Sequence, residues 1–145
     1  MKKEIFHTRD LASPIYRDAL QLRKTIFVGE QRVPLAEEVD QNEAACEHFV
    51  LYTENKPVAT CRLLPMPESV GKLQRMAVAK EARKHGYGRE LIKACESWAA
   101  ANRFQMIRLG AQLSALPFYV RLGYRAYGPE FLDAGIRHRM MEKRL

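Results

Sequence analysis

A chain of 145 residues and 16.7 kDa is one domain's worth of polypeptide, and at this size roughly 68–70% of the unfolded surface can be buried. The hydrophobic fraction of 47% and charged fraction of 28% are globular values, which excludes wholesale disorder, collagen-like repetition and a coiled coil. Lys and Arg outnumber Asp and Glu by 24 to 17, giving +7, which favours an anionic partner: nucleic acid, a membrane surface or a phosphorylated small molecule.

The longest uncharged run, Leu109 to Val120, has 12 residues, short of the roughly 20 that a membrane helix needs. After Lys2 and Lys3 the apolar run breaks at Phe6, so no secretory h-region follows, and a cytoplasmic protein with no membrane partner is expected. Cys46, Cys61 and Cys95 are odd in number and lack a C-x-x-C pair. Neither a disulfide framework nor a zinc site is expected, and the thiols should be reduced.

In chain order, residues 3–8 form a short strand candidate. Ile15, Ala19, Leu22 and Ile26 repeat at helical spacing within Leu11 to Gln31, with Ser13 as cap and Pro14 at the first helical position. Val33 to Asn42 carries a proline and clustered acids and reads as a long loop. Glu47 to Thr53 and Pro57 to Leu64 read as a hairpin joined at Glu54-Asn55-Lys56, with Pro65-Met66-Pro67 ending the second strand. Val70 to Val78 is a third strand and Tyr87 to Asn102 an amphipathic helix. A strand at Met106–Ala111, a helix at Ser114–Leu122 and strands near Tyr124–Tyr127 and Ile136–Glu142 follow. Hairpins first and a strand-helix-strand unit later predict a mixed sheet, α/β or α+β, in one domain over 1–145.

The charge is uneven. From Lys72 to Arg89 six cations face Glu81 alone, whereas Val33 to Glu54 holds six acids and no Lys or Arg. The first stretch suits an anion and the second a cation, although either also reads as a solvated face. Within the basic stretch, Val78 to Leu91 is a strand end, a loop with Gly86 and Gly88, and a helix start. The first N–H groups of a helix lack internal acceptors and sit at the positive end of its dipole. N–H groups around His85, Gly86, Tyr87, Gly88 and Arg89 therefore form a candidate diphosphate cradle, with Arg83, Lys84 and Arg89 neutralising the charge. Neither a Walker A loop nor a G-x-G-x-x-G turn is present, since Leu91 stands at the third glycine position.

Arg83-Lys84-His85-Gly86-Tyr87-Gly88 matches Q/R-x-x-G-x-G/A, and Ala115-Leu116-Pro117-Phe118-Tyr119 through Gly123-Tyr124 resembles A-x-x-F-Y-x-x-x-G-F/Y. Together, at this spacing, they resemble the two signatures of the GCN5-related N-acetyltransferase (GNAT) superfamily. Val33-Pro34, the acidic loop, His48-Phe49-Val50 and Gly135-Ile136-Arg137-His138 further resemble a small bacterial subgroup, the YjcF/ElaA-like acetyltransferases.

The resemblance implies a mixed sheet that splays between two parallel strands to admit acetyl-coenzyme A. It implies that the backbone of Met76, Ala77 and Val78 bonds the pantetheine arm and that Tyr119 protonates the departing thiolate. Gln112 stands where many members carry asparagine, so a coenzyme contact there is a weaker expectation. Pro117 requires that its helix begin near Ser114.

An amine with pKa near 10.4 is only about 0.04% free base at pH 7, so it must be desolvated or meet a base. Glu37, Glu38 and Asp40 are candidates to hold the cationic amine and take its proton, with His138 as another base. The acceptor, a small-molecule or peptide amine, is left open, as is a homodimer. Alternatives are an inactive acetyl-coenzyme A sensor, an anion or nucleic-acid-binding module, and cysteine catalysis through Cys46 with His48. Basic density confined to one loop beside an acidic segment argues against nucleic acid.

Overall fold

The computed structural model describes residues 2–30 and 40–145. Its elements are β1 (Lys3–Thr8), α1 (Pro14–Arg23) with a π-helical continuation over Lys24–Glu30, a 3₁₀ turn (Glu43–Ala45), β2 (Glu47–Thr53), β3 (Lys56–Met66) and β4 (Val70–Val78). A 3₁₀ turn (Lys80–Ala82), α2 (Tyr87–Ala101), β5 (Met106–Gln112), a 3₁₀ turn (Leu113–Ala115), α3 (Leu116–Arg121), β6 (Arg125–Asp133) and β7 (Ile136–Arg144) complete the chain.

Ser13 caps α1 through a 3.1 Å bond from the Ile15 N–H, with Pro14 in the first turn where its missing donor is harmless. Leu11 and Ala12, inside the expected helix, lie in the turn before the observed one. The seven strands run in the order β1-β2-β3-β4-β5-β7-β6, antiparallel except for β4 and β5. The sheet is thus mixed α/β, as the sequence predicts. Helix α2 covers one face, where Leu91, Ile92 and Cys95 meet Phe49, Leu63 and Leu73 in the main core. Helix α1 covers the other, with Ala19 against Val50 and Tyr52.

Among the strands that run past their expected ends, β3 and β6 do so through a proline. β3 continues through Pro65, which pairs with Gly71 near the strand end, where a missing N–H forfeits at most one ladder bond. β6 continues past Gly128 and Pro129 to Asp133, because a register shift between Tyr127 and Phe131 absorbs the extra residues. Ala134 and Gly135, both at positive φ (52° and 75°), close a two-residue turn into β7. Among the described residues no helix is long and apolar enough to cross a membrane.

The parallel pair positions the site. β4 and β5 are joined only at Val70–Met106, Gly71–Ile107 and Lys72–Arg108. Beyond Lys72 they diverge. Arg75 adopts φ 56°, and β3 skips a residue opposite it, since Gln74 pairs with Arg62 but Ala77 with Thr60. This β-bulge bends β4 away from β5 and leaves its backbone groups on that edge without strand partners.

Candidate active site

The divergence opens a cleft of about 1160 Å³. Its β4 wall is Leu73 through Val78 and its β5 wall Leu109 through Gln112. One end is closed by the Arg83–Arg89 loop and α3, the other by Ile26, Phe27 and the β6–β7 hairpin.

At the loop end Gly86 caps α2 at φ 79° with open space around its missing Cβ, so glycine serves conformation there. Gly88 serves proximity. A Cβ on it would lie 2.9 Å from Met76 Cε and 3.5 Å from Val78 Cγ2. The N–H groups of Tyr87, Gly88 and Arg89 stand in the first turn of the helix, at the positive end of its dipole. Arg83 Nε donates to the Val78 carbonyl at 3.0 Å, tying the loop to the end of β4. Arg83, Lys84 and Arg89 are exposed and line the cleft. His85 is not among the lining residues; its ring stacks on Tyr87 at 5.5 Å.

Helix α3 follows a 3₁₀ turn that starts at Leu113, which puts Pro117 in its first turn. It buries the Tyr119 ring between Phe118 (5.0 Å) and Tyr124 (5.8 Å). Burial pushes the Tyr119 phenol well above its ordinary value, with a smaller contribution from Cys61. The hydroxyl therefore stays protonated, and Tyr119 lines the cleft. A phenol so raised is a hydrogen-bond donor to a sulfur anion rather than a strong acid toward it.

On the opposite face of the cleft, His138 pairs in register with Gln112, and both line the cavity. His138 Nδ1 lies 2.7 Å from the Ile136 carbonyl and so carries the proton, which leaves Nε2 as an acceptor in the neutral ring. The ring stacks on Phe131 at 5.6 Å.

Of the three acidic candidates, Glu37 and Glu38 lie outside the described residues. Asp40 lines the cleft, but its carboxylate is engaged: Arg62 donates to both oxygens (3.1 and 2.9 Å), Arg75 to one (3.3 Å) and the Asn42 N–H to the other (2.9 Å). The Arg62 hydrogen bonds hold its carboxyl at about 2. Such a carboxylate has little basicity to offer an ammonium ion, which corrects the expectation that Asp40 takes the proton.

Behind Asp40 stands a buried charge cluster that a strand-by-strand reading misses. Arg62, fully buried in β3, also donates to Glu43 (2.6 Å) and through Nε and Nη2 to Gln74 Oε1 (3.1 and 2.9 Å). Arg23 from α1 pairs with Glu43 as well. His48 Nε2 bonds the Glu43 carbonyl at 2.9 Å, while its buried Nδ1 has no partner among the described residues. An arginine in mid-strand between Cys61 and Leu63 was the available signal. All three cysteines are free and buried. Burial raises the Cys46 thiol to about 11, so Cys46 is no nucleophile, and its supposed partner His48 is bound to Glu43.

The comparisons with known proteins agree with this geometry. The family model for the acetyltransferase (GNAT) domain matches residues 24–145. The chain is 44% identical over 128 residues to the uncharacterised N-acetyltransferase YjcF of Bacillus subtilis, covering 88% of this chain and 91% of that one. A Lactobacillus plantarum structure described as a candidate N-acetyltransferase superposes with a TM-score of 0.90 at 32% identity, over 100% of this chain and 99% of the other. Escherichia coli ElaA shares the fold, with a TM-score of 0.85 at 22% identity over 98% of each chain. The chain therefore belongs to the GNAT acetyltransferase family.

Proposed function

We propose that this chain transfers an acetyl group from acetyl-coenzyme A to an amine by direct attack. The observation that carries the reading is that one cleft collects three things: an anion-suited helix start, a strand edge beyond its last pairing with β5, and a buried protonated phenol.

The residues fit the coenzyme. Tyr87, Gly88 and Arg89 would give their N–H groups to its diphosphate, with Arg83, Lys84 and Arg89 supplying charge. The backbone of Met76, Ala77 and Val78, on the β4 edge beyond its last pairing with β5, would bond the pantetheine as a strand partner does, and Gln112 stands across the cleft. An N–H on that edge would face the thioester oxygen as charge develops. His138 Nε2 accepts the amine's proton, directly or through water, and the Tyr119 hydroxyl donates to the departing sulfur.

The test is thiol release from acetyl-coenzyme A across a panel of amines, together with calorimetric binding of the coenzyme. Tyr119→Phe should bind acetyl-coenzyme A like the parent and lose roughly 100-fold in kcat. Equal turnover would remove Tyr119 from the mechanism. A parent that neither binds the coenzyme nor releases thiol with any amine would end the transferase reading.

A further inference from the structure

The acceptor side of the cleft lies on the α1 face of the sheet, and its polar groups are unequally engaged. Asp40 is saturated by Arg62, Arg75 and the Asn42 N–H. Glu142, on the same face of β7, is held by Arg108 (3.2 Å) and Arg125 (3.7 Å). Neither acid is free to receive an ammonium group.

On β4, two side-chain donors that line the cleft make no bond among the described residues. Lys72 lines the cleft where β4 and β5 last pair, and among the described residues its ammonium makes no hydrogen bond or ion pair. Gln74 lies two residues on, on the same face by the strand's period of two, with Leu73 between them buried in the opposite core. Arg62 fixes how the Gln74 amide is turned. Its Nε and Nη2 both donate to Oε1, so that oxygen faces the guanidinium and the Nε2 donors face away from it. No described residue accepts from Nε2, and Gln74 lines the cleft. Lining the same cleft, the Phe131 ring reaches over Gly110 to 3.2 Å from its would-be Cβ, with the Met140 sulfur at 3.7 Å. An uncompensated cation and an oriented amide donor beside an apolar wall suit an anion with two oxygens, in surroundings that strengthen the contact.

We propose that Lys72 Nζ and Gln74 Nε2 receive a carboxylate, so that the amine acetylated by this chain belongs to a molecule that also carries a carboxylate. This rests on the amine-acetylation reading above and narrows it to amino acids and related amino carboxylates with an apolar body.

The test titrates the coenzyme A-saturated protein with three pairs of probes that differ in the carboxylate: phenylalanine with 2-phenylethylamine, leucine with isopentylamine, and 4-aminobutyrate with propylamine. At least one carboxylate-bearing member should bind tenfold or more tightly than its partner. Lys72→Met and Gln74→Leu should each shrink that ratio without changing affinity for the carboxylate-free amine or for coenzyme A. The proposal is overturned if no pair favours the carboxylate, or if Lys72→Met weakens both members alike. Loss of the transferase reading itself shows separately, as failure to bind the coenzyme, and takes this proposal with it. Intact coenzyme binding with indifference to the carboxylate refutes this proposal alone.

Discussion

The Cε methyl of Met76 lies 2.9 Å from the position a Cβ on Gly88 would take, so the first turn of α2 rests directly on β4. That contact sets where the helix's first-turn N–H groups stand relative to the strand edge. Gly86, two residues earlier, has space around it and a left-handed backbone instead.

The two glycines should therefore fail differently. Gly86→Ala should lower stability by about 1–2 kcal/mol, the strain of an L-residue in that conformation, and keep coenzyme binding. Gly88→Asp should fold and lose coenzyme affinity by roughly tenfold or more, because it adds bulk and negative charge where the diphosphate would lie. Adding Met76→Ala to Gly88→Ala should restore any affinity lost by Gly88→Ala alone. Calorimetry decides: a Gly88→Asp protein that binds acetyl-coenzyme A like the parent would place the diphosphate elsewhere.

The buried cluster around Arg62 yields a stability prediction. Arg62→Leu removes the shared donor of Asp40, Glu43 and Gln74 and leaves Glu43 buried with one of its two arginines gone. Breaking such a buried pair is expected to cost about 3–5 kcal/mol. The exposed Arg137–Glu130 pair should contribute less than about 1 kcal/mol when Arg137→Ala removes it. Urea unfolding of both variants checks the contrast, and similar losses would contradict it.

Acid stability follows from the same cluster. Burial holds His48 below its ordinary 6.5, so the unfolded chain gains a proton before the folded one does. Stability is thus unaffected by His48 above that value and falls as pH drops below about 6.5. Asp40, at about 2 against an ordinary 3.8, and Glu43, which burial would raise but its arginine partners hold low, act through the same linkage, the unfolded chain again taking up protons first. Their stabilisation is present above the unfolded values and is lost as pH falls below about 4. Melting temperatures should decline in two stages, and His48→Gln should remove the first. An unchanged decline between pH 7 and 5 in that variant would assign the stage to another group.

Much of the site could be read along the chain because its signals are local. Ser13-Pro14 states a helix start, Gly86 and Gly88 state a loop that needs free φ and close approach, and Phe118-Tyr119 follow at the spacing that completed the family resemblance. Asp40 misled for the opposite reason. As a sequence it is one acid among several, and only the fold brings Arg62 and Arg75 from β3 and β4 onto its carboxylate. Lys72 and Gln74 were equally silent, being a lysine and a glutamine in a strand whose bulge and splay no local pattern announces.

By itself the sequence determined the order and kind of the main elements, the mixed sheet and the family. These depend on short-range periodicity, capping and backbone permissiveness, which neighbours in the chain dictate. The tertiary structure alone decided which charges are consumed and which remain available, because an ion pair between residues 22 positions apart, such as Asp40 and Arg62, forms only when the sheet has closed around it.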